Sequence, residues 1–166
     1  NATFLYSSSA AQTLSGVISG SGPIVVNAGK LQLNGAAAAG TLTTSSLTVG
    51  TGGTLGFTAS TASTLDLTGK PFSLGGTVAL DIGASGVNDA MTVNDFTLDG
   101  NSALTFNIIG AVTNGATYTV LTSTNPIDAN GFGITGPAGK FALTPTINTV
   151  ANTVELTCVL DLGVWN

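Results

Sequence analysis

Four aspartates, Asp81, Asp89, Asp95 and Asp99, fall within nineteen residues in "LDIGASGVNDAMTVNDFTLDG". Carboxylates at that density suit two chemistries. A hard cation such as Ca2+ collects several oxygens, and a glycosidase pairs two acids across its substrate. A plainer role competes with both. Asp in "ND" and "LDG" accepts hydrogen bonds from nearby backbone N–H groups and fixes turns. The repeated Gly-Gly-x-Gly-x-Asp of calcium-binding β-rolls is missing. Turn capping is therefore the expected role, and no cofactor is expected. If Ca2+ does bind, Asp89 and Asp95 are the first candidate ligands.

Other reactive groups are few. The chain has no His and no Arg, which removes nucleophilic triads of the Ser–His–Asp and Cys–His kinds and any His-bearing metal centre. Cys158 is the only cysteine. It can form neither an internal disulfide nor a structural zinc site, and the alternation of "VELTCVLDL" around it predicts a small core residue. "SGSGP" (residues 19–23) has the glycines of a phosphate loop but lacks the Lys-Ser/Thr and following helix that make one work. An enzyme is not expected.

Composition narrows the partners. Only 7% of residues are charged, and the net charge is -5 at a pI near 4.1; about a quarter is usual for charged residues. Nucleic acid is not expected as a partner, because binding needs cations to neutralise phosphates. Nor is membrane insertion: mean hydropathy is +0.46, yet no apolar run approaches the ~20 residues of a spanning helix. Against a transmembrane barrel, which alternation alone leaves open, aromatics are only 6% and form no paired girdles.

The elements that must carry these residues read as strands. Apolar residues recur at every second position: Ile24 and Val26, Leu31 and Leu33, Leu47 and Val49, Leu55 and Phe57, Leu65 and Leu67, Phe72 and Leu74. The pattern continues through Val78, Leu80 and Ile82, Met91 and Val93, Phe96 and Leu98, Leu104, Phe106 and Ile108, Tyr118 and Val120, and Val154, Leu156 and Cys158. Between them sit "NAGK", "GTGG", "LTGKP", "LGGT" and "VTNGA", where Gly and Asn supply the positive φ of tight turns. Strands so short and so closely spaced predict an all-β chain, a parallel β-helix (β-solenoid) whose coils stack apolar residues inward. A β-sandwich or jelly roll is the alternative for the C-terminal part. The expected division is one solenoid module over 1–166: an N-terminal strand or cap at 1–12, stacked coils at 13–114, and closing strands with longer loops at 115–166, ending in a long strand at 152–160.

One stretch resembles a known family. "TLSGVISGSGPIVVNAGKLQLNG" is similar to the autotransporter-associated β-strand repeat through Leu14, Ser15, Gly16, Ile18, Gly20 and Gly22, then Gly29, Leu31, Leu33 and Gly35. The family's usual Thr-Lys-x-Gly-x-Gly linker is replaced by "PIVVNAGK". The closing "VWN" is similar to the Trp-Asn-Gly that opens a following unit. The resemblance implies a right-handed β-helix, secreted by a bacterium or displayed on its surface, with no catalytic residues to carry over.

The expected function is structural: a secreted solenoid module, or a subunit of an extracellular fibre, assembling end to end through its terminal strands. The expected partners are copies of itself or neighbouring modules of the same protein. Interface candidates are Phe4, Leu5 and Tyr6 at one end, and Val154, Leu156, Val159, Leu160, Leu162, Val164 and Trp165 at the other. The alternative is a monomeric surface adhesin or autotransporter passenger binding glycans or host surfaces.

Overall fold

A computed structural model describes residues 1–34, 40–57, 62–84, 87–127, 132–135 and 141–160. These residues form an all-β solenoid of about four turns, with no helix among them. Strands β1 (Phe4–Ser7) and β2 (Gln12–Leu14) make the first coil. There follow β3 (Ile24–Leu33), β4 (Gly40–Thr41), β5 (Leu47–Phe57), β6 (Thr64–Leu74), β7 (Thr77–Ile82), β8 (Ala90–Leu98), β9 (Ser102–Ile108), β10 (Thr117–Ser123) and β11 (Phe132–Thr135). Two last strands, β12 (Phe141–Asn148) and β13 (Thr153–Leu160), close the chain.

Three parallel ladders wrap one core. On the first face Phe4 pairs with Ile24, Ile24 with Leu47, Leu47 with Phe72 and Phe72 with Phe96. On the second, Gln12, Leu31, Leu55, Val78, Leu104 and Ile134 follow one another in register. On the third, Gly40, Leu65, Met91 and Leu121 do so. Spacings of 23, 25 and 24 residues separate Ile24, Leu47, Phe72 and Phe96. The repeat is thus one of geometry, which is why no literal repeat shows in the sequence.

The alternation pointed the right side chains inward. Val26, Leu33, Val49, Leu67, Leu74, Val78, Ile82, Val93 and Val120 are almost wholly buried, each contributing about 1.5–3 kcal/mol of transfer free energy. Phe72 and Phe96 stack face to face at 5.3 Å between ring centroids and 2° between planes. Cys158 is fully buried, as expected of a core residue. Tyr118, also buried, keeps its hydroxyl satisfied by donating to the Gly83 carbonyl at 3.0 Å.

One expectation needs correction, and two further features complete the picture. The first concerns strand length. β3, β5 and β6 run 10, 11 and 11 residues, because each continues round a corner from one face to the next. Bulges between Val26 and Ala28 and between Leu67 and Pro71 absorb the bend. Glycine makes the corner possible in two ways. Gly29 has φ +74°, the left-handed region expected of "NAGK". Gly53, paired with Gly29 in the next coil, is needed instead for close approach: a Cβ there would overlap the Val26 carbonyl oxygen.

The second concerns the extent of the coils. β2 straddles residue 12, so the first coil is one unit from Phe4 to Leu14, and parallel stacking persists past 115 into β10 and β11. The third concerns the closing part. No sandwich forms among the described residues: β10 and β11 belong to the parallel stack, and then β13 pairs antiparallel with β10, and β12 antiparallel with β13. The turn between the last two is held by Asn148 Oδ1, which accepts from Val150 and Ala151 N–H at 3.1 and 3.0 Å, and by Asn152 at φ 52°.

Candidate functional site: the open strand edges and a buried carboxylate pair

A stack of parallel coils pairs every interior strand on both sides and leaves its first and last rungs half bonded. At the N-terminal end β1 and β2 each pair only with β3 among the described residues. Phe4 N–H donates to the Pro23 carbonyl at 2.9 Å and Asn34 N–H to the Leu14 carbonyl at 2.8 Å. Strand alternation therefore turns the N–H and C=O of Leu5 and Thr13 away from the coil above, toward solvent. Phe4, first in its inward column, is 40% exposed and Leu5 60%. Beside them a cavity of about 60 Å³ is lined by Ala2, Phe4, Ile18, Gly22, Ile24 and Thr44.

The interface candidates at this end divide. Phe4 and Leu5 are accessible, whereas Tyr6 is buried, its hydroxyl directed at the Ala10 and Lys30 carbonyls. At the other end Val154 and Leu156 are fully buried, and β13 is flanked on both edges by β10 and β12. A contact through the edge of β13 would first have to displace β12. Val159 is 43% exposed and remains available. Leu160 ends β13 with its backbone paired to Phe141; Leu162, Val164 and Trp165 lie outside the described residues.

The outermost strands at the C-terminal end are ones that alternation alone did not single out. β11 pairs only with β9, and β12 only with β13, among the described residues. β12 carries Pro145 within it, a residue that blunts an edge by removing a donor. On the first face no strand pairs beyond the Asp95–Leu98 half of β8 among the described residues. Thr124 and Asn125 N–H donate to the Val93 and Asn94 carbonyls at the corner leading from the third face, and Pro126 follows at once.

The four aspartates do not converge. No group of three or more potential ligands is assembled among the described residues. Asp95 is exposed on the first face, accepting from Asn94 Nδ2 at 3.0 Å and from Asn125 Nδ2. Asp99 caps its own turn, with Asn101 N–H on Oδ1 at 2.9 Å. Asp89 instead meets Asp81. Both are buried, Asp89 completely. Asp89 Oδ1 accepts from Ser63 N–H at 2.9 Å and Oδ2 from Asp81 N–H at 2.8 Å, tying two coils together. Asp81 Oδ1 accepts from Asn107 Nδ2 at 3.1 Å, while its Oδ2 is buried without a hydrogen-bond partner among the described residues. Burial, with a smaller push from the Asp81 charge, lifts the Asp89 carboxyl to about 6 despite the N–H groups that oppose it. Both oxygens of Asp89 are thus engaged in structure, and one orphan oxygen falls far short of the six or so a Ca2+ ion collects.

No family model matches the chain, and no curated protein matches it. What stands of the resemblance at residues 14–35 is its coarse content, a β-solenoid of about four turns.

Proposed function

We propose that this chain is a non-enzymatic structural module, secreted by a bacterium or displayed on its surface, that assembles end to end with copies of itself or with neighbouring solenoid modules. The observation that carries this reading is the N-terminal end of the stack: two strand edges bonded, among the described residues, on one side only, next to exposed Phe4 and Leu5. An edge of this kind is a template for another strand. With only 7% of residues charged, little electrostatic repulsion opposes packing of coil on coil. The repeat-like stretch at 14–35 supports an extracellular, bacterial setting, and the absence of His and Arg supports a role without catalysis.

Negative-stain microscopy of concentrated protein tests the reading. Filaments are the expected outcome. Discrete particles at all concentrations would overturn it in favour of a monomeric adhesin, to be taken to a glycan screen. Filaments that dissolve in chelator would instead give the aspartates a part in assembly.

A further inference from the structure

The three faces end differently, and only one can continue unchanged. The third face leaves the solenoid pattern when β13 and then β12 add antiparallel, and the β12 edge holds Pro145. The first face has no strand beyond the Asp95–Leu98 half of β8 among the described residues, and Pro126 follows the corner at Asn125 that leads toward it. The second face stays parallel and in register from β2 through β3, β5, β7 and β9 to β11. Neither of its terminal strands, "QTL" and "FGIT", contains proline.

We propose that copies of this chain add head to tail along this second face, Gln12–Leu14 of one copy continuing the parallel ladder on Phe132–Thr135 of the next. This rests on the end-to-end reading above and specifies its polarity and its strands. The register follows from the existing columns. Thr13, Gln32, Gly56, Ala79, Thr105 and Thr135 already form one column through five pairings, so the next rung places Thr13 of the incoming copy beside Thr135.

The hydrogen-bonding phase agrees with that register. Ala103 N–H donates to the Gly76 carbonyl at 2.9 Å, so Ala103 faces β7 and Leu104 faces β11. Alternation then directs Gly133 and Thr135 toward β9 and the Ile134 carbonyl away from it. On β2 it is Thr13 whose N–H points outward. In a parallel ladder a residue's N–H meets the carbonyl one place before its opposite number, as Phe4 N–H meets Pro23 when Phe4 lies opposite Ile24. Thr13 opposite Thr135 therefore donates to the Ile134 carbonyl. Among the described residues neither donor nor acceptor has another partner, and the two are in phase. Such a contact is heterologous, so it extends indefinitely instead of closing into a dimer.

Thr13 and Thr135 are both exposed and, within one copy, stand about 24 Å apart at ~4.8 Å per rung, too far for an internal disulfide. The test is Thr13→Cys with Thr135→Cys in a Cys158→Ala background, oxidised and run without reductant. A ladder of dimers, trimers and higher species is expected from the double variant, with no ladder from either single variant. Dimers from Thr13→Cys alone would mean head-to-head contact and overturn the proposal. Thr13→Pro removes the outward donor and is expected to abolish filaments while leaving the monomer's circular dichroism unchanged. Filaments that survive Thr13→Pro but are lost in Leu5→Pro would overturn the second-face assignment and leave end-to-end assembly standing. Wild-type protein that never forms filaments would overturn both.

Discussion

At the scale of single residues, Asp89 shows how far burial can outweigh hydrogen bonding. Its carboxyl sits at about 6 in the folded chain against 3.8 for the free group. The folded state therefore binds a proton more readily than the unfolded state between those values. The associated stability is fully present below pH 4 and is lost as pH rises through 6, on the order of 3 kcal/mol in all. Urea midpoints measured from pH 3.5 to 7.5 should fall across that window, and Asp89→Asn should remove most of the fall. Cys158 gives a second residue-scale expectation. Burial pushes its thiol up, so a thiol-specific reagent should label native protein at least ~100-fold more slowly than urea-unfolded protein, since labelling must await opening. Much of this scale was legible in the sequence, because side chains in a strand point alternately to opposite faces. "VELTCVLDL" alone was enough to place Cys158 inside. The Asp81–Asp89 contact was not legible: the two lie on either side of the β7–β8 connection, and nothing in their spacing says that the chain folds back there through an antiparallel Ile82–Asn88 bridge.

At the scale of elements, the corners decide the architecture. Gly53 and Gly16 make a matched test, since a Cβ on Gly16 meets nothing within 4 Å. Gly53→Ala should cost about 1–3 kcal/mol by overpacking against the coil before it, while Gly16→Ala should leave the thermal midpoint nearly unchanged. Equal effects would show that the corner tolerates a side chain and that the bulge, not the glycine, sets the bend. Tyr118→Phe belongs here too, for the hydroxyl joins β10 to the β7–β8 connection. Its loss should cost about 1–2 kcal/mol, leaving the Gly83 carbonyl buried without that donor, as read from denaturant unfolding. The sequence marked where these elements start and turn, but not how they join. "GTGG" reads as a turn because its glycines admit positive φ; in the structure they are corner residues inside a continuous strand. Strand direction was equally hidden. The closing "FALTPTIN" and "TVELTCVL" alternate as the earlier strands do, and alternation is the same in parallel and antiparallel pairs. Only Pro145 hinted at an edge.

At the scale of the whole molecule, the low charge has a measurable consequence. Raising NaCl from 0.05 to 0.5 M should change unfolding free energy by less than ~0.5 kcal/mol, because few charges are present to be screened. The solenoid class itself was legible from strand density and turn chemistry, as was the inward set of side chains. The number of coils was not, since it depends on pairings between residues about twenty or more places apart. Nor was the manner of closure, since alternation does not distinguish the antiparallel β12–β13 pair from a parallel one. The stack of rungs also sets how such a protein can change in length. Each column advances one residue per coil, and Leu47 and Phe72 are consecutive members of one column. Duplicating residues 47–71 in tandem should thus slip in one more rung and extend the axis by ~4.8 Å, leaving both ends as they are. A half-coil insertion has no such place to go, because it would deliver the wrong face to every coil that follows. Genes for a protein of this shape can lengthen it only in whole steps, and the coil is the unit in which they count.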